Sequence, residues 1–184
     1  SLTLFEPSPG MFERLHSRMG GIEGVACVNA TLASVADEFH GAFDTVIYNN
    51  VLEHIADDSD ELAVARRALR PGGRLCIFVP AMPWLMSDFD RRIGHLRRYM
   101  IEELGALLVQ AGFSIERLHY VDALGVLPWL VAMRWLSGDL DARKTRMYDR
   151  IAVPLVCAVE TRWRPPFGKN LLAVARAPLS TSAG

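Results

Sequence analysis

The sequence predicts an α/β fold built on a mostly parallel sheet with flanking helices. Three observations predict it. Short apolar runs alternate with amphipathic stretches through the first 121 residues, at the spacing of parallel strands joined by crossover helices. The run Phe43–Asn49 is apolar almost throughout, as in a strand covered on both faces. Finally, Pro71-Gly72-Gly73 stops a helical stretch and feeds it directly into the next strand.

The elements follow in order. Residues 2–6 read as a strand ending at Glu6, and Pro7, Pro9 and Gly10 then break the chain before a helix over 11–18. Residues 25–29 and 43–49 read as the next two strands. Residues 60–69 read as a helix with Leu62, Ala65 and Leu69 on its inner face and Glu61, Arg66 and Arg70 largely outward. Residues 74–80 form a strand rich in branched apolar residues. Ile101, Leu104, Leu107, Leu108 and Ala111 make an apolar stripe on a helix that Gly112 ends. Residues 113–121 and 171–176 are the last strands. The organisation expected is one domain over 1–184: an α/β core to 121, an apolar helical cap over 122–168, a closing strand within 169–177 and a frayed tail over 178–184.

Composition excludes several classes. The 184 residues are 51% hydrophobic and 22% charged, enough apolar mass for a core and too much for disorder. Twenty basic residues against twenty-one acidic give a net charge of −1, which argues against a general nucleic-acid binder. The three cysteines form no CxxC pair, so reduced thiols in a cytoplasmic protein are expected and a zinc knuckle is not. Residues 121–136 carry two tryptophans and few charges. They read as a cap helix over a pocket or, alternatively, as a peripheral segment meeting a lipid surface or a lipid-linked substrate.

Two motifs carry the chemistry. Phe43-Asp44-Thr45-Val46-Ile47-Tyr48-Asn49-Asn50-Val51-Leu52-Glu53-His54-Ile55 delivers a polar turn at the carboxyl end of a strand, where open α/β sheets bind ligands. Leu69-Arg70-Pro71-Gly72-Gly73-Arg74-Leu75 follows. Together they resemble the class I, Rossmann-like S-adenosylmethionine-dependent methyltransferases over residues 2–121. The resemblance implies S-adenosylmethionine as cofactor. It places Glu6 on the ribose hydroxyls, where a carboxylate can accept from both. It places Met11 beside the cofactor, Thr31 and Leu32 at the adenine, and Asn49 and Asn50 at its methionine end. Those asparagines could equally cap the strand end. His54 is a candidate general base, or a histidine that fixes the loop. No metal site is expected, although the adjacent Glu53 and His54 leave a remote one open.

A second constellation runs from Pro80-Ala81-Met82-Pro83-Trp84 through Gly94-His95-Leu96-Arg97-Arg98-Tyr99. It is similar to the acceptor loop of a bacterial methyltransferase subgroup with a G-H-x-R-R-Y signature. That similarity implies catalytic roles for His95 and Tyr99 and substrate contacts for Trp84, Arg97 and Arg98. The competing reading is a solvated charged loop paired with Asp88 and Asp90.

The sequence contains no glycine-rich E/D-x-G-x-G-x-G turn, which the family carries after its first strand. The expectation is therefore a methyltransferase domain lacking the family's first strand and helix, with unpaired strand edges in the sheet. Methyl transfer to a small-molecule acceptor, lipid- or sugar-linked, is the function implied, with an oligomer open. The alternatives are a non-catalytic methyltransferase-like scaffold or fragment that has lost cofactor binding and, more weakly, a nicotinamide-dependent oxidoreductase.

Overall fold

The computed structural model describes residues 1–135 and 164–179. The chain runs β1 (Leu2–Phe5), α1 (Pro9–Met19), β2 (Val25–Val28), β3 (Phe43–Asn49), α2 (Asp58–Ala68), β4 (Leu69–Pro80), α3 (Asp88–Arg92), α4 (Ile101–Gln110), β5 (Ser114–Val121), α5 (Val126–Trp135) and β6 (Asn170–Arg176). Short 3-10 turns cover Ala33–Phe39, Leu52–His54 and Pro83–Leu85. Most of the cap expected over 122–168, and residues 180–184 of the expected tail, lie outside the described residues.

The strands form two sheets. β1 pairs with β2 in parallel, and the larger sheet has the order β3-β4-β6-β5. β3 and β4 are parallel, whereas β6 runs against both β4 and β5. So β3, β4 and β5 point one way and β6 the other. β1 and β3 do not pair, in line with the expected break in the sheet. Their junction is aromatic instead: Phe5 meets Phe39 and Phe43 edge-on at 5.2 and 6.1 Å.

The core lies under the larger sheet. Leu75, Ile77 and Val79 of β4 and Leu171, Ala173 and Ala175 of β6 are fully buried, with Leu62 and Ala65 of α2 and Leu104 and Leu108 of α4. The two helices present the apolar stripes that their spacing predicts.

Three local readings are corrected. Ile47, expected to be covered, is 67% exposed, because β3 is the edge of its sheet and only its Val46–Tyr48 face is packed. Glu61, expected to face outward, is buried and accepts a 2.5 Å hydrogen bond from the Tyr48 hydroxyl. Helix α2 ends at Ala68, before Pro71-Gly72-Gly73, which belongs to β4 and shapes the irregular pairing with β3 between Phe43 and Thr45. Gly72 has φ +73°, and a Cβ on Gly73 would stand 3.1 Å from the Asp44 carbonyl, so both positions need glycine.

Candidate active site

Strand β3 ends at Asn49, and Asn50 turns the chain with φ +52°. Asparagine tolerates that left-handed backbone better than most residues. The turn throws residues 52–54 beneath the loop 81–99, and the two sequence motifs meet there. The Leu96 N–H donates to the Glu53 carbonyl at 2.9 Å, and His54 Nδ1 lies 3.0 Å from the Gly94 carbonyl. Gly94 has φ +89°, and a Cβ there would stand 3.4 Å from the His54 ring. The His54 and His95 rings pack edge to face with centroids 4.8 Å apart.

Asp90 organises the next layer. Its side chain is buried and accepts from the Ser87 backbone and hydroxyl, from His95 Nδ1 at 2.9 Å and from Arg98 at 2.8 and 3.2 Å. Burial opposes its ionisation, but the Arg98 and Ser87 hydrogen bonds outweigh burial and hold its carboxyl below the usual range. His95 shows the reverse balance. Burial holds its imidazolium form down although Asp90 favours the charge, so the ring is neutral at pH 7.

Glu53 is wholly buried, and neither of its carboxylate oxygens has a hydrogen-bond partner. Burial pushes its carboxyl up to about 7, and the Arg98 charge tempers the rise. His95 Nε2 stands 3.7 Å away, beyond hydrogen-bond reach.

These groups edge a cleft of about 500 Å³, lined by Asn50, His54 and His95 on one side and by Phe78, Arg98 and Trp129 among others. Its size suits a small organic molecule. Arg98 lies 5.1 Å from the Trp129 ring centre and Lys169 lies 5.6 Å from it.

The expected site residues divide accordingly. Asn50, His54, His95 and Arg98 come together at the cleft. Tyr99 lies behind it, 2% exposed, its hydroxyl given to Asp58 at 3.0 Å and the Leu52 carbonyl at 3.3 Å. Burial and the Asp58 carboxylate raise its pKa, which keeps the phenol protonated. Arg97 is pinned to Asp58 at 2.6 Å and the Ala56 carbonyl at 2.7 Å. Trp84 is 60% exposed and outside the cleft, whose tryptophan is Trp129. Glu6 follows β1, where its Oε1 accepts from the Ser8 N–H and its carbonyl from Asn29. Met11 is exposed on α1, Thr31 accepts from the Ser34 N–H, and Leu32 is buried. Asn49 ends β3 and contacts Asn50.

Sequence reasoning passed over Glu53 as a site residue, together with Asp90 and Trp129. A signal for Asp90 exists, since Ser87-x-x-Asp90 has the pattern of a capping box, which the structure forms.

Residues 1–75 match a family model described as Methyltransferase domain. An S-adenosylmethionine-dependent methyltransferase from Mesorhizobium loti superposes with a TM-score of 0.58 at 19% identity, over 95% of this chain and 79% of that one. The fold is that of a class I methyltransferase. A phosphoethanolamine N-methyltransferase from Haemonchus contortus, solved with S-adenosyl-L-methionine, superposes with a TM-score of 0.57 at 15% identity, over 96% of this chain and 43% of that one. By sequence, an uncharacterised 37.1 kDa protein in transposon TN4556 of Streptomyces fradiae is 45% identical over 132 aligned residues, 53% of this chain. The chain spans 38% of that relative's length. In methyltransferase terms, the cleft opens at the carboxyl end of β3, the side on which open α/β sheets hold ligands. No described helix is long and apolar enough to cross a membrane.

Proposed function

We propose that this chain transfers a methyl group from S-adenosylmethionine to a small acceptor seated in the cleft beside Asn50. One observation carries the reading. The residues expected at the methionine end of the cofactor, Asn49 and Asn50, adjoin a cleft of small-molecule size that holds two histidines.

S-adenosylmethionine, when bound, supplies an electrophilic methyl group on its sulfonium. The chain's own residues do the rest. Glu6, whose Oε1 accepts from the Ser8 N–H, would accept from the ribose hydroxyls, with Thr31 and Leu32 at the adenine and Met11 alongside. In both His54 and His95, Nδ1 faces an oxygen acceptor, so the proton sits on Nδ1 and Nε2 keeps its lone pair. Those Nε2 atoms are the bases available to take the acceptor's proton. Phe78, Phe89 and Trp129 keep water from the reacting atoms. Leu124, Leu127 and Val131, exposed around α5, support an acceptor with an apolar or lipid-linked tail.

Calorimetric titration of the chain with S-adenosylmethionine and S-adenosylhomocysteine tests this. Saturable micromolar binding, weakened at least tenfold by Glu6→Ala, is expected. A folded chain that binds neither compound overturns the reading and leaves a methyltransferase-like scaffold.

A further inference from the structure

Methyl transfer as proposed leaves Glu53 without a role, and Glu53 stands beside both histidines of the cleft. One ligand-type atom from each of Glu53, His54 and His95 lies within 4.8 Å of the other two. The Glu53 carboxylate is fully buried and unpartnered. The Gly94 carbonyl can only accept, so His54 must present its proton to it from Nδ1. The Asp90 carboxylate, which also accepts from Arg98, does the same for His95. One ligand-type atom of each residue thus stands in a common space, with His95 Nε2 3.7 Å from Glu53 Oε1.

We propose that Glu53, His54 and His95 bind one divalent transition-metal ion, with zinc the best match to two imidazoles and a carboxylate. Imidazole nitrogen disfavours magnesium and calcium, which prefer all-oxygen sites. The second layer fits as well. Metal-bound histidines nearly always donate their other ring N–H to a carboxylate or a backbone carbonyl, and these two do one each. Ligands about 2.0–2.2 Å from a tetrahedral ion stand roughly 3.3 Å apart, so the three donors need only a small inward movement from their present separations. Arg98, whose charge acts on Glu53, is already neutralised by two hydrogen bonds to Asp90. His54 and His95 also line the cleft, which leaves the outer coordination position open to it. A site with three protein ligands and one open position is of the catalytic kind, able to bind and acidify an acceptor hydroxyl. The ion would then occupy the lone pairs that otherwise serve as bases. The inference stands without the methyl-transfer reading, since cofactor binding plays no part in it.

The test is zinc titration of the metal-free chain by calorimetry, paired with thermal unfolding and with the visible spectrum of the cobalt-loaded chain. One equivalent per chain is expected, with a zinc-dependent rise in Tm and a tetrahedral cobalt spectrum. Glu53→Gln and His95→Ala should each weaken zinc binding at least tenfold, and His16→Ala, on the exposed face of α1, should not. Absence of stoichiometric binding by the folded chain overturns the proposal. So does affinity unchanged within twofold in folded Glu53→Gln or His95→Ala, since the metal would then lie elsewhere.

Discussion

Asp90 accepts five hydrogen bonds from three residues, and one of them, Arg98, is itself 95% buried. Removing the carboxylate would strand that guanidinium in the interior, next to Trp129, with the Ala81 carbonyl as its remaining partner. Breaking a buried ion pair from one side costs about 3–5 kcal/mol. Asp90→Ala is expected to lose that much stability in urea unfolding. Asp90→Asn, which keeps one acceptor oxygen, should lose less. Histidine 95 would also lose the group that fixes its ring, so both variants should disturb the cleft before they unfold the chain.

At the scale of elements, a single carboxylate ties three strands together. Glu116 of β5 accepts from Arg74 of β4 at 2.9 Å and from Arg176 of β6 at 2.6 Å. The hydrogen bonds from Arg74 and then Arg176 hold its carboxyl below the usual range. A carboxyl depressed in the folded state adds stability above its unfolded pKa and loses it as pH falls through the folded value. The contribution is thus complete at neutral pH and vanishes in acid. Glu116→Gln should flatten the acid limb of a Tm-versus-pH curve and weaken its dependence on salt, with little change in fold at pH 7. An acid limb identical to that of the parent chain would mean that the bridge adds nothing.

The element scale also shows what could be read from the residues alone. Every regular strand was legible, as were α1, α2 and α4, because period-two and period-3.6 patterns survive wherever a face is buried. The five-residue helix α3 was not, being too short to show a period and specified by a local Ser87–Asp90 cap. Leu69–Gly73 read as a helix stop when it is the start of β4, since glycine marks a break in either case. In the site, His54 and His95 were found through their motifs, but their pairing across 41 residues was not. Glu53 was noted beside His54 but given no place in the site, because a glutamate beside a histidine is commonplace until burial removes its water. Arg97 and Tyr99 sat in a suggestive motif and proved to anchor the loop to Asp58, a distinction that only side-chain direction reveals.

The whole molecule divides its stability unevenly. Helix α1 has no buried residue, and β1 and β2 have none. The larger sheet, with α2 and α4 packed on it, carries the fully buried Leu62, Leu75, Leu104, Leu108 and Leu171 and the longest ladders. Local opening should be easiest where buried apolar contact is scarce. Amide hydrogen exchange is expected to be at least tenfold faster in β1 and β2 than in β4 and β6. Equal protection across both sheets would show that the Phe5–Phe39–Phe43 cluster couples them into one cooperative unit.

The position of β6 has a consequence for biosynthesis. It lies between β4 and β5, yet follows both in the chain. Until residues 170–176 leave the ribosome, β5 has no neighbour and β4 has only β3. The sheet is closed by its last strand, which must slide into a slot whose two walls already exist. Nascent chains therefore pass through a stage with two open strand edges, where chance pairing with other chains competes with folding. Nascent chains arrested before residue 170 should be captured by chaperones, and those extended beyond residue 179 should not.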